Sequence, residues 1–377
     1  MHVALIAKPG AGVTGTSRYT ENLYQGLKTA GIDASLAFPE PVLFWPPVQN
    51  GLKRLGVDVK AFFASYPLKV RPGQADIYHL TIQTLASLLM VQRFEAPVIV
   101  TVLDIIPCLV RRNPELNTFR HARDFVFYRF SMAGLKRASA LVAISEYTKR
   151  TLVGTLGLPA DRIHVIYPNI DLAVFHPQGV PAAFLEKYGL SRNSRHILYV
   201  GTNDPRKNLP TLVQAFSLLK QSCKNIKLIK VGADPFPQER RRLAGLIAQS
   251  GLEEDVLFFD NVPDEDLAHF YNFADLFVFP SFYEGFGIPV VEAMACGTPV
   301  VCSNATSLPE VAGSAARLVD PGNIESLADV MDETLEDQGL RERMRIDGIK
   351  QAARFDGEET VQYLIKIYQT LFETLRS

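Results

Sequence analysis

The chain is 377 residues long and carries 39 Lys and Arg against 40 Asp and Glu, a formal net charge of −1, with 47% hydrophobic and 21% charged residues. That is more chain than one hydrophobic core usually serves, so two domains of ordinary globular composition are expected. No apolar run approaches the roughly 18–20 residues of a membrane span, and no signal pattern precedes the strand-like HVALIA at residues 2–7. Cys108, Cys223, Cys296 and Cys302 show neither metal-ligand spacing nor the density of a disulfide framework, so reduced thiols in a cytoplasmic protein are expected.

Near-neutrality conceals an asymmetry. Residues 1–177 hold 19 Lys and Arg against 12 Asp and Glu, and the remainder 20 against 28. A basic first half suits an anionic partner, such as a phosphorylated substrate or an acidic membrane surface. Basic stripes interleaved with stacking aromatics are missing, which argues against nucleic acid.

In chain order, HVALIA runs into KPGAGVTGTSRY, residues 8–19. Gly10, Gly12 and Gly15 permit tight turns and close backbone approach, and the helix predicted over Ser17–Ala30 offers free N–H groups to an anion or a sugar hydroxyl. Asp33 begins the next strand, DASLAF, and no acid ends it, where a dinucleotide ribose would need one. ADIYHL, PVIVTVL, ALVAI and IHVIY follow as strands. They are rich in Val, Ile and Leu without strict alternation, as parallel strands buried on both faces are. Pro168, Pro177, Gly179 and Pro181 then interrupt the pattern and mark a domain boundary.

The second half alternates RHILYVG, IKLIKVG, DVLFFD, LFVFP and TPVVC with helical periods over Thr211–Gln221, Pro237–Gln249 and Asp264–Phe273. Glu358–Thr374 closes the chain as an amphipathic helix with Val361, Ile365, Tyr368 and Leu371 on one side. Strand-then-helix repetition predicts two doubly wound α/β sheets, with ligands at the carboxyl ends of their strands.

Two stretches concentrate chemistry. VGTNDPRKNL, residues 200–209, places Arg206 and Lys207 at a strand-to-helix turn, from which a guanidinium and an ammonium can hold a diphosphate; a solvated basic loop has the same sequence. FVFPSFYEGFGIPVVEAMACGTPVV, residues 277–301, is a strand, a loop with Glu284, Gly285 and Gly287, and a helix with Pro289 in its first turn and Gly297 closing it. Glu284 can accept from sugar hydroxyls and Glu292 from a vicinal ribose diol, although two glutamates at this spacing are common without any role. Asp264-Glu265-Asp266 opens a predicted helix and reads as a capping and dipole feature rather than a metal site.

Taken together and in order, VGTNDPRKNLPTLVQAF, the E-x7-E segment EGFGIPVVE and LPEVAGSAARLVDPGNIESLADVM at 308–331 resemble the retaining glycosyltransferases of family 4, the group 1 glycosyl transferases. GTSRYTENLYQGL and ALVAISEYTKRTL resemble the same family's acceptor-domain segments. The resemblance covers nearly the whole chain and is weakest between about residues 38 and 75. It implies an α/β protein of GT-B architecture, two Rossmann-like domains facing across a cleft. Residues 1–176 would bind the acceptor, 177–191 link, and 192–357 bind the nucleotide sugar, while a helix at about 358–377 packs back on the first domain. It implies retaining, metal-independent transfer of a hexose-type sugar to a glycan or lipid-linked acceptor in cell-surface glycan assembly, without a cofactor.

The resemblance also implies roles. Arg206 and Lys207 match the diphosphate clamp and, with Glu284 on the donor sugar, the catalytic set. Gly15, Gly201, Gly285, Phe286 and Gly287 match backbone positions around the donor, Val262 the loop beside the base, and Glu292 the ribose contact. One position departs: relatives carry T-x-H-D after the PVIV-type strand, and here TVLD places Leu103 where that His contacts the sugar. His79, ending ADIYH, is a candidate substitute or a structural histidine. His79, Asp104 and Ser145 are candidate contacts for donor sugar or acceptor. The departure leaves open a catalytically silent nucleotide-sugar-binding protein, or a nucleotide-sugar epimerase on the same architecture.

The stretch 41–72 mixes Phe44, Trp45, Phe62 and Phe63 with Lys53, Arg54, Lys60, Lys69 and Arg71. That pattern suits an anionic membrane surface or a lipid-linked acceptor, or a loop packing aromatics on its own domain. A cytoplasmic enzyme, peripheral at the inner face of the membrane, is the resulting expectation.

Overall fold

The computed structural model describes residues 1–9, 15–41, 63, 65–111, 113, 115–116, 122–260 and 262–374. Gly10, Gly12 and most of the aromatic and basic stretch at 41–72 lie outside the described residues. Lys69 and Arg71 are described, and both pair with Glu40, at 3.4 and 2.7 Å. The chain forms two compact units, Met1–Asn169 with Gly357–Ser377, and Ile170–Asp356.

The first unit is built on six parallel strands: β1 (His2–Ile6), β2 (Asp33–Ala37), β3 (Ile77–Leu80), β4 (Val98–Val102), β5 (Ala140–Ala143) and β6 (Ile163–Val165). Their spatial order is β2-β1-β3-β4-β5-β6. β3, β4 and β5 are buried at every position, as the unalternating apolar runs require. The Gly357–Thr374 helix returns to this unit and lies on the Gly15–Thr29 helix. Close approach depends on Gly26, where a Cβ would stand 2.6 Å from Val361 Cγ2.

The second unit holds β7 (Arg195–Val200), β8 (Ile226–Val231), β9 (Val256–Phe259), β10 (Leu276–Phe279), β11 (Val300–Ser303) and β12 (Arg317–Val319), all parallel, in the order β12-β11-β10-β7-β8-β9. Counted from β7 this is the doubly wound order 3-2-1-4-5-6. The chain reverses direction across the sheet between β7 and β10, whose register is Ile197 to Leu276 and Leu198 to Phe277. In such sheets the loops leaving the two strands at the reversal diverge and leave a crevice at the strands' carboxyl ends.

The expected doubly wound α/β class is borne out, as are eleven of the twelve strands among the described residues, β12 having escaped the sequence reading. Helices that the sequence reading did not name stand at Ala122–Gly134, Glu146–Leu156, Ile324–Glu336 and Gln338–Ala352. A further one, Ala182–Tyr188, lies within the stretch read as a linker and buries Phe184 against Phe270 and Tyr188. Asp264-Glu265-Asp266 does occupy the first turn of a helix, but the cap residue is Pro263, and Asp266 turns to Lys187 and Tyr188 at 2.5 and 2.8 Å. Among the described residues no helix is long and apolar enough to cross a membrane.

Candidate active site

The topological reversal of the second sheet is where the sequence placed its two chemical stretches. The loop after β7 is Gly201–Asn208 and the loop after β10 is Pro280–Gly287. A backbone bond and a side-chain bond tie them together: Phe282 N donates to Arg206 O at 2.8 Å, and Arg206 Nη1 donates to Tyr283 O at 2.9 Å. Asn208 completes the join. It adopts φ 59°, a left-handed conformation that asparagine tolerates better than most residues, and its side-chain amide donates to Pro280 O and Pro321 O. Its Oδ1 accepts from Thr211, the start of the next helix.

Glu284 lies at the centre. Its Oε1 is 2.7 Å from Lys207 Nζ and its Oε2 3.2 Å from Arg206 Nη1. Asp204 caps the short turn 205–207, accepting from Arg206 N and meeting Arg206 Nε at 3.3 Å. Lys207 also sits over the Phe279 ring at 4.9 Å. The cluster is almost dry: side-chain exposure is 7% for Glu284, 12% for Lys207 and 22% for Arg206. Burial alone would raise the Glu284 carboxyl, but Lys207 and Arg206 outweigh it and hold it below the ordinary carboxylate range. Burial lowers the Lys207 ammonium against the pull of Glu284. Two cations are thus held beside a strand-to-helix turn by two carboxylates of this chain.

The loop that carries Glu284 is fixed from the far side. Glu284 N donates to Thr306 Oγ1, and Ser307 Oγ donates to Glu284 O and Phe286 O at 3.0 and 2.9 Å. Phe286 is buried edge-on against Phe355. Gly287 has φ 108°, and a Cβ there would be 2.6 Å from Leu308 Cδ2, so only glycine fits at the turn into the Ile288–Ala295 helix. One turn into that helix, Glu292 is 3% exposed and accepts from the Tyr271 hydroxyl at 2.7 Å. Gly201 lets the fully buried Tyr199 place its hydroxyl on Thr202 O, since a Cβ at 201 would be 2.9 Å from the Tyr199 hydroxyl oxygen. Gly285 is buried beside Glu284, Gly15 begins its helix, and Val262 is half-buried ahead of the Asp264–Phe273 helix.

Family models match this arrangement on both sides of the unit boundary. The model described as glycosyl transferases group 1 matches residues 182–351, and that described as glycosyltransferase family 4 matches residues 13–174. The chain belongs to the family 4, group 1 glycosyltransferases. Among other members, it is 35% identical over 257 residues to O-antigen chain mannosyltransferase B of Escherichia coli, covering 67% of this chain and 66% of that one. It is 30% identical over 272 residues to the serotype-specific mannosyltransferase WbdA of Escherichia coli, covering 69% of this chain and 33% of that one. The matches thus span just under two thirds of one relative and a third of the other. In fold it is similar to sucrose-phosphate synthase from Thermosynechococcus elongatus, with a TM-score of 0.78 at 24% identity over 99% of both chains. It is also similar to Anabaena HepE, solved in complex with UDP and glucose, with a TM-score of 0.74 at 19% identity over 97% of this chain and 99% of that one.

The family's first-unit positions are placed differently from what the sequence suggested. His79 is fully buried, with Nδ1 2.6 Å from the Tyr368 hydroxyl and Nε2 2.8 Å from Thr101 Oγ1. Both ring nitrogens are engaged inside the unit, and burial lowers its pKa to about 3. Of the two readings of His79, this geometry is that of the structural histidine, bracing β3 against the closing helix. Ser145 is likewise buried and caps the Glu146–Leu156 helix by accepting from Thr148 N. Asp104 is half-buried and accepts from Ile106 N across a tight turn. Leu103, in the position of the family's histidine, packs against the hydrophobic core of the unit, and its backbone N donates to Gln83.

Sequence reasoning missed Asp204, Asn208, Tyr199 and Tyr271. Asp204 and Asn208 stood in the quoted NDPRKN run, where an Asx residue before a proline and at a helix start signals a cap or turn. Tyr199 and Tyr271 carried no signal, because a buried tyrosine in an apolar run looks like core until its hydroxyl partner is known.

Proposed function

We propose that this chain is a retaining, metal-independent glycosyltransferase that moves a hexose, mannose in the first instance, from a nucleotide sugar to a glycan or lipid-linked acceptor. The observation that carries the reading is Glu284 bound between Arg206 and Lys207 at the reversal of the second sheet. The mannosyltransferase names of the two Escherichia coli relatives support the choice of sugar.

In this reading Arg206 and Lys207 take the donor diphosphate, Glu284 orients them and accepts from the sugar hydroxyls, and Gly285–Gly287 lets backbone approach the sugar. Glu292 accepts from the ribose diol and Val262 lies along the base. During transfer the bond between the anomeric carbon and the diphosphate oxygen breaks, and negative charge grows on the leaving diphosphate. Fixed cations stabilise that charge without reorganisation, the condition under which electrostatic stabilisation is largest. The acceptor oxygen bonds to the anomeric carbon on the face the diphosphate leaves, and its proton passes to the departing phosphate. In this reading no metal is required, because Arg206 and Lys207 supply positive charge and hydrogen-bond donors to the leaving diphosphate.

Leu103, partly buried against the core of the first unit and unable to hydrogen-bond through its side chain, favours a second reading, a donor-binding protein without turnover. The two separate in one assay: incubation with GDP-mannose, UDP-glucose and UDP-N-acetylglucosamine in EDTA, with lipid-linked and free glycan acceptors, following nucleoside diphosphate release and the anomeric configuration of the product. An acceptor-dependent release with retained configuration supports the transferase. Binding without release supports the silent protein, and acceptor-independent change of the sugar itself would indicate an epimerase.

A further inference from the structure

The hydrogen bond between Tyr271 and Glu292 belongs to no element of the reading above. Glu292 is buried, and a buried carboxylate is useful for recognition only if its oxygens are held toward the ligand. The Tyr271 hydroxyl donates to Glu292 Oε2 at 2.7 Å, a short bond to a charged acceptor. A donor on one oxygen restrains the rotation of the carboxylate and so the direction in which its lone pairs point.

Tyr271 itself has little freedom. It is fully buried, its ring meets Phe277 and Phe175 edge-on at 5.5 and 6.0 Å, and its carbonyl accepts from Thr298 Oγ1 at 2.7 Å. It stands on the Asp264–Phe273 helix, which begins directly after Val262 and Pro263. The helix that follows the base loop is therefore bonded, through Tyr271, to the helix that carries Glu292.

We infer that Tyr271 is a positioning residue of the nucleotide site: its hydroxyl orients the Glu292 carboxylate for the vicinal diol of the donor ribose. This rests on the donor-site reading of Glu292. Tyr271 acts through Glu292, so its effect is confined to the part of the ligand that Glu292 contacts.

The experiment is isothermal titration of wild type, Tyr271→Phe, Glu292→Gln and the double variant with UDP, GDP and their 2′,3′-dideoxy forms. Wild type is expected to prefer the ribonucleotide of one base over its dideoxy form. In Tyr271→Phe that ribonucleotide should bind about 5–20-fold more weakly, in line with one hydrogen bond to a charged group. The dideoxy form should change less than about twofold, and adding Tyr271→Phe to Glu292→Gln should add little, because the two act as one unit. Equal weakening of both forms, or none, overturns the inference and leaves the donor site standing. A wild type that binds no nucleotide, or fails to distinguish ribose from dideoxyribose, overturns the donor-site reading and this inference with it. Should Tyr271→Phe not fold, Thr298→Val, which removes the bond to the Tyr271 carbonyl, must show the same ribose-selective loss in smaller degree. Weakening of both forms alike by Thr298→Val counts against the inference equally.

Discussion

Lys207 Nζ lies 2.7 Å from Glu284 Oε1, joining the loops that leave β7 and β10 where the strand order of the second sheet reverses. Neither residue is remarkable for its loop alone. Brought together with Arg206, they form a buried charge cluster in which cations are pre-set and their carboxylate partner can share them with an incoming diphosphate. Lys207→Ala should lower kcat about 10²–10³-fold, the scale for removing one donor aimed at developing charge, with the fold intact. Nucleoside diphosphate release under saturating donor measures it, and near-normal turnover would remove Lys207 from the catalytic set.

Glu284→Gln should act on stability as well as activity. It leaves Lys207 and Arg206 buried without their shared carboxylate, a change that costs on the order of 3 kcal/mol in a denaturant titration. Inorganic pyrophosphate should then raise the melting temperature of the variant more than that of wild type, because it supplies the missing anion. Equal shifts would mean the cations do not face the ligand.

Gly287→Ala combines a left-handed backbone with a Cβ placed 2.6 Å from Leu308 Cδ2. A loss of about 1–3 kcal/mol is expected from the backbone alone, with activity falling further because the Glu284 loop must move. Thermal unfolding beside an activity assay checks both, and a variant as stable and active as wild type would show that this turn is not constrained.

His79 predicts an acid-side loss of stability. Its pKa is lowered to about 3 by burial, whereas the unfolded chain titrates near 6.5. Between these values the unfolded state binds a proton that the folded state does not, so stability rises with pH through that window and is lost as pH falls from about 6.5 toward 3. The slope from this one group approaches about 1.4 kcal/mol per pH unit. His79→Gln, neutral throughout and able to bond Tyr368 and Thr101, should flatten urea-derived stability between pH 6 and 4 relative to wild type. An unchanged slope would show that His79 does not titrate this way.

Much of this was legible in the sequence. Strands buried on both faces announce themselves as short apolar runs, and eleven of the twelve were found that way; β12 is three residues with Arg317 and an exposed Leu318, too short and too polar for the pattern. The Gln338–Ala352 helix was missed because its buried stripe is only Met344, Gly348 and Ala352, two of them too small to register as an apolar face. The positions of Arg206, Lys207, Glu284 and Glu292 could be proposed from spacing and resemblance, but their mutual pairing could not. Nothing in the sequence says that Glu284, 77 positions further on, returns to Lys207. His79 shows the converse: a strand-end position looks open in sequence, and Thr101 and the returning Tyr368 close it.

The central claim is that the second unit binds a nucleotide sugar through Arg206, Lys207, Glu284 and Glu292 and needs no metal to do so. A thermal-shift titration with UDP-, GDP-, ADP- and dTDP-sugars in EDTA, with NAD(P)H as control, tests it most directly, since a ligand of the folded state must raise the melting temperature. The account predicts a rise with the sugars of one base that is lost in both Lys207→Ala and Glu292→Ala. No rise with any nucleotide sugar, or a rise with NAD(P)H alone, would contradict it.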